Sequence, residues 1–118
     1  MTKKKKVLIC GCGNIAGGYN QKSNTTKSIS HAHAINSSKK FVLHGCIDPN
    51  KSNLIKYSKY WNVENTYDNF FDVKNKYYDL IVISSPDEYH VEHLNEALKL
   101  NPRAIFIEKP LVNSMKDI

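Results

Sequence analysis

Strand-like and helix-like patterns alternate along these 118 residues, and the alternation predicts an α/β fold: one three-layer domain on a doubly wound parallel sheet with right-handed crossovers. Three observations carry the prediction. Val7, Leu8, Ile9 and Cys10 form an unbroken apolar run, as a strand covered on both faces does. That run breaks into a glycine-rich turn, Gly11-Cys12-Gly13-Asn14-Ile15-Ala16. A second buried run, Asp79 to Ser84, is followed by the start signals of a helix.

The elements follow in order. After the first strand Gly11 permits a sharp backbone turn, Gly13 leaves room for a pyrophosphate against the backbone, and the small Ala16 lets the next helix pack close. Asn20 to Ser28 is wholly polar and reads as an inserted loop, with a helix resuming from Ile29 to Ile35. Phe41 to Ile47 is the second strand; it ends in Asp48 and is stopped by Pro49-Asn50. From Asn50 to Trp61 a helix places Leu54, Tyr57 and Trp61 on one face. Val63 to Tyr67 reads as a short third strand, and Asp68 to Lys74 as a short helix capped by Asp68. After the Asp79–Ser84 strand, Ser85 and Glu88 fit a capping box, Pro86 takes the first helical position, and Val91, Leu94, Ala97 and Leu98 line one side up to Leu100. Asn101-Pro102 ends that helix, and Ala104 to Ile107 is a fifth strand running into Glu108-Lys109-Pro110.

A glycine turn between strand and helix points to dinucleotide binding, because the amides from Asn14 onward would face an anion with the positive end of the helix dipole. The Rossmann-like reading also requires an acidic residue at the end of the second strand to take ribose hydroxyls, and Asp48 supplies it. Asp48 lies 35 residues beyond Gly13, against the roughly 20 of the usual fingerprint; the polar Asn20–Ser28 insertion accounts for the excess. Asp48 could instead serve as a helix N-cap in Asp-Pro-Asn.

Composition bounds the alternatives. Hydrophobic residues at 41% and charged residues at 24% are those of a globular chain, which excludes a disordered one. No apolar run approaches the roughly 20 residues that span a bilayer, and the four-residue apolar strand after Lys3–Lys6 is too short for a signal-peptide core. A cytoplasmic protein without a membrane partner is expected, and three cysteines, two of them inside strands, suit reduced thiols. The net charge of +6 is spread over helix faces without a basic stripe, so no nucleic-acid partner is expected. Cys10-x-Cys12, His31-x-His33 and His90-x-x-His93 lack any usual zinc spacing, so no metal site is expected, and His33 and His93 read as helix-surface residues.

Taken together, Gly11-Cys12-Gly13-Asn14-Ile15-Ala16, Asp48, Ser84-Ser85-Pro86-Asp87-Glu88-Tyr89-His90 and Glu108-Lys109-Pro110-Leu111 resemble the N-terminal half of the Gfo/Idh/MocA oxidoreductases. The resemblance covers nearly the whole chain. It implies a nicotinamide-dinucleotide-binding domain over residues 1–118, with Gly11, Gly13, Asn14, Ile15 and Ala16 at the pyrophosphate and Asp48 at the adenine ribose. Ser84, Ser85 and Pro86 would border the middle of the cofactor, and His90 matches the family's histidine in the loop-to-helix segment. Glu108 and Lys109 would lie beside the nicotinamide ribose and ring, with Lys109 the catalytic residue near the substrate. The charge of Asp48 favours NAD by repelling a 2'-phosphate, while Lys51 nearby leaves NADP open.

The family's second, C-terminal α/β domain lies outside this sequence. It supplies most substrate contacts and further catalytic residues, so hydride transfer to or from a carbohydrate-like substrate is expected to need it. Members usually associate through that domain's sheet, which leaves an oligomer among the expected partners. Two other readings compete. One is a stand-alone, non-catalytic NAD-binding or assembly module. The other is an S-adenosylmethionine-dependent methyltransferase, against which stand the absence of a further glycine at Ile15 and the lack of a role for Glu108-Lys109-Pro110.

Overall fold

The computed structural model describes residues 4–12, 31–73, 77–85 and 87–107. Strands β1 (Lys5–Cys10), β2 (Phe41–Ile47), β3 (Asn65–Tyr67), β4 (Leu80–Ile83) and β5 (Ala104–Ile107) form one sheet in the order β3-β2-β1-β4-β5, with every neighbouring pair parallel. The described helices are α1 (His31–Asn36), α2 (Lys51–Trp61) and α3 (His90–Lys99). Because β1 is central and the chain winds outward first to one side and then to the other, the order reverses between β1 and β4. Open parallel sheets take their ligands at the carboxyl ends of the strands flanking such a reversal.

The alternation along β1 sorts the core into two layers. Val7 and Ile9 meet Ala32 and Ile35 of α1 and Leu54 and Tyr57 of α2 on one face. Leu8 and Cys10 meet Phe70, Val73, Tyr78 and Ala97 on the other. Val7, Leu8 and Ile9 are each wholly buried, which explains why β1 reads as a continuous apolar run.

One irregularity sets the register at the site. Val7 pairs with Leu43 but Leu8 with Gly45, so His44 is an extra residue in β2. Leu43 and Cys46 therefore share a face although they are three apart, while Ile47 falls on the opposite face. Gly45 is required here: a Cβ would overlap the Tyr78 hydroxyl and stand 3.0 Å from Leu8 Cδ1.

Several sequence expectations need correction. Among the described residues of the expected 68–74 helix there is a single 3-10 turn, Phe70–Asp72, and Asn69, not Asp68, caps it by accepting the Asp72 N–H at 3.1 Å; Lys74 lies outside the described residues. Phe70 and Val73, three residues apart, both reach the core in that one turn. α2 is capped by Asn50, whose Oδ1 accepts the Asn53 N–H at 3.0 Å. α3 begins not after Ser85 but at His90, following a 3-10 turn, Asp87–Tyr89, and its N-cap Tyr89 makes no side-chain cap bond. The buried face of α3 is also rotated from the expected one. His90 and Ala97 are buried and Leu94 packs at their side, whereas Val91 and Leu98 are exposed. α1, expected from Ile29, is described from His31.

Candidate functional site

The carboxyl ends of β1, β2 and β4 converge on Gly11, and each joins it by a specific contact. The Gly11 N–H donates to Ile47 O at 2.8 Å, while Ser84 donates through its N–H to Cys10 O at 2.9 Å and through Oγ to Gly11 O at 3.1 Å. Gly11 has φ +102°, in the left-handed region that disfavours side chains. A Cβ there would stand 2.6 Å from Ser85 N and 2.8 Å from Ser84 C and Ser85 Cα. Both the turn and the approach of the β4 strand end thus exclude any other residue.

Asp48 closes the β2 side. Its carboxylate, almost fully buried, accepts the Cys12 N–H through Oδ2 and the Asn50 N–H through Oδ1, both at 2.8 Å. The N-cap alternative is excluded because Asn50 caps α2. Asp48 instead ties the glycine turn to the start of α2, and its N–H, donating to Tyr67 O at 3.1 Å, adds β3. A carboxylate offers about four lone-pair sites, so two amide donors leave acceptor capacity for hydroxyl groups.

On the β4 side Ser85 is held from two directions by the first turn of α3. His90, buried, donates through Nε2 to Ser85 O at 2.8 Å. His93 Nδ1 lies 2.7 Å from Ser85 Oγ and 3.5 Å from Cys10 Sγ, and its ring stacks on Tyr89 with centroids 5.7 Å apart. His93 is therefore a half-buried member of the site's wall and not a helix-surface residue. Burial lowers its pKa, His90 lowers it further, and Glu92 and Glu96 act in the opposite sense.

The thiols here are inert. Burial, reinforced by the Asp48 charge, pushes Cys10 up to about 12, with the neighbouring Ser85 hydroxyl working the other way. Cys12, whose Sγ donates to Ile47 O at 3.6 Å, is held protonated by the neighbouring Cys46 thiol and by burial. Nucleophiles and metal ligands need thiolates, which this environment disfavours. Among the described residues no three His, Cys, Asp or Glu side chains gather as a metal-binding group, and no helix is long and apolar enough to cross a membrane.

Of the residues singled out from sequence, the structure brings Gly11, Asp48, Ser84, Ser85 and His90 to one end of the sheet. Gly13, Asn14, Ile15, Ala16, Pro86, Glu108 and Lys109 lie outside the described residues. The sequence reading missed His93 and Cys10 as parts of this site. The only sequence signal was that His90 and His93, three apart on a helix, share a side.

The sequence pattern of the Gfo/Idh/MocA family, described as an oxidoreductase family with an NAD-binding Rossmann fold, matches residues 5–118. A comparison with curated protein sequences gives no match. Among solved structures, apo scyllo-inositol dehydrogenase from Lactobacillus casei superposes with a TM-score of 0.77 at 25% identity, covering 99% of this chain and 32% of that one. Myo-inositol 2-dehydrogenase from Lactobacillus plantarum gives 0.76 at 22% identity, over 98% of this chain and 31% of that one. The WlbA dehydrogenase from Bordetella pertussis, in complex with NADH and UDP-GlcNAcA, gives 0.79 at 19% identity, over 98% and 32%. The chain thus spans about a third of the length of the proteins it superposes on.

Proposed function

We propose, from the premise that this chain belongs to the Gfo/Idh/MocA family of oxidoreductases with an NAD-binding Rossmann fold, that it is the cofactor-holding part of an enzyme moving hydride between NAD and a hydroxyl or carbonyl of a sugar- or polyol-like substrate. The observation that carries the reading is the bond from the Cys12 N–H to Asp48 Oδ2, which fixes a ribose-reading carboxylate against the glycine turn. Gly11, at φ +102°, supplies the sharp turn that such a cradle requires after the first strand.

In this reading Gly13, Asn14, Ile15 and Ala16 continue the pyrophosphate cradle, and Asp48 accepts the adenine-ribose hydroxyls. Ser84, Ser85 and Pro86 wall the middle of the crevice beside His90. Glu108 and Lys109 stand at the nicotinamide end. Bound NAD supplies the hydride acceptor. The Lys109 ammonium stabilises negative charge developing on the substrate oxygen and helps its proton leave. Asp48 disfavours a 2'-phosphate, with Lys51 the nearby cation that could offset this for NADP. The substrate class is supported by the Lactobacillus casei protein, an inositol dehydrogenase at 25% identity. A cytoplasmic location and oligomeric assembly belong to the same proposal.

Calorimetric titration of the folded chain with NAD, NADP and S-adenosylmethionine tests it. NAD is expected to bind more tightly than NADP, with Asp48→Ala weakening NAD by about tenfold or more, as for a charged hydrogen-bond partner. Binding of S-adenosylmethionine alone, or NAD binding that ignores Asp48→Ala, would overturn the assignment.

A further inference from the structure

We infer that His93 is a positioning residue for the dinucleotide: through Ser85 and Cys10 it holds the β4 wall of the crevice against the glycine turn. The inference rests on the cofactor reading above and adds a residue to it.

The geometry is that of a cross-brace. Gly11 and Ser85 approach so closely that a single added carbon on Gly11 would collide with the Ser85 backbone. Any drift of Ser85 would therefore change the width of the crevice at the point where both strands end. Ser84 fixes its side of this contact through β1 backbone carbonyls. The Ser85 hydroxyl is turned toward α3 and meets His93 Nδ1 at 2.7 Å. The same nitrogen lies 3.5 Å from Cys10 Sγ, at the last residue of β1. One ring thus touches the ends of both strands that flank the switch point.

His90 and His93 divide the task. The His90 contact, a ring N–H donating to a carbonyl, fixes the Ser85 backbone. The His93 contact fixes its side chain and reaches across to β1. Phe70 and Tyr89 hold the His93 ring in place, with centroids 5.6 and 5.7 Å away. A residue with a polar atom at the δ position is therefore required at 93, and the imidazole's second nitrogen is not. Asn offers a δ oxygen or nitrogen at that distance along the side chain; Leu fills similar volume with none.

The test measures NAD affinity of the full chain and of His93→Asn and His93→Leu, with denaturant unfolding of all three as the folding control. A second readout follows the His93 ring 15N and 13C signals during NAD titration of the unsubstituted chain. His93→Leu is expected to bind NAD about five- to tenfold more weakly, the cost of leaving the Ser85 hydroxyl without its partner. His93→Asn is expected to stay within about twofold of the unsubstituted chain, since it restores that partner. The ring signals should shift with the same midpoint as binding. Equal affinity in all three proteins, equal weakening in both variants, or ring signals indifferent to NAD would each overturn the role of His93. A folded, unsubstituted chain that binds no NAD would instead overturn the cofactor reading and this inference with it.

Discussion

At Gly11 two independent costs meet, a left-handed φ and a backbone neighbour where a Cβ would go. Gly11→Ala is expected to destabilise the chain by about 2–4 kcal/mol, since neither backbone strain nor the collision with Ser84 and Ser85 can relax by a rotamer change; urea unfolding measures it. His93 gives a second residue-scale prediction, for pH. Burial lowers its pKa in the fold below the unfolded value of 6.5, so the unfolded chain binds the proton more readily. Stability therefore rises with pH in this range and is lost as pH falls below 6.5. The groups acting on the ring are Glu92, Glu96 and His90, and Ser85 and Cys10 carry no charge at these pH values. Urea midpoints followed from pH 7.5 to about 5.5 should fall, and fall less in His93→Asn, which removes this titration and leaves the others. Parallel slopes in the two proteins would contradict the assignment.

At the scale of elements, α3 shows how a sheet chooses a helix face. The expected face took in Val91, Leu94, Ala97 and Leu98; Ala97 is wholly buried, but Leu98 is 57% exposed and Val91 is exposed as well. The rotation is dictated by the first turn, where His90 and His93 must reach Ser85, and by the small Ala97, which lets the axis approach β4. Ala97→Leu is accordingly expected to cost about 1–3 kcal/mol by overpacking, and Leu98→Lys to stay within about 0.5 kcal/mol of the unsubstituted chain. Thermal and urea unfolding of the two variants separates the alternatives; the reverse ranking would place the helix on its other face. The bulge at His44 is a second case of the same kind. Without the extra residue, Cys46 and Ile47 would exchange faces and Asp48 would lose its alignment with Cys12.

For the whole molecule, the site is an assembly of strand ends that are distant in sequence: residues 10–12, 47–50, 84–85 and 90–93 meet only because the sheet order is β3-β2-β1-β4-β5. Ligand binding at such a junction stabilises the fold as a unit. With NAD at about a hundred times its Kd, stability should rise by about 2.7 kcal/mol, seen as a Tm higher by roughly 10 °C for a domain of this size. The same increase in Asp48→Ala at equal NAD concentration would show that the stabilising site lies elsewhere.

The strands and their parallel, doubly wound arrangement were legible in the residues because both depend on local pattern: continuous apolar runs such as Val7–Cys10 and Leu80–Ile83, broken by glycine, proline and asparagine at short range. Gly11 and Asp48 could be picked out for the same reason, each standing at the end of a strand run, whereas Ser84, Ser85 and His90 were singled out by the resemblance to the Gfo/Idh/MocA family. What sequence could not reveal depends on registry between distant segments. The bulge in β2 is defined only by its pairing with β1, and the face of α3 by a helix meeting a sheet. The contact of the Ser85 hydroxyl with His93 exists only once α3 has packed on β4. Hydrophobic periodicity reports how a segment is covered; it carries no information on which polar atoms the covering brings within 3 Å.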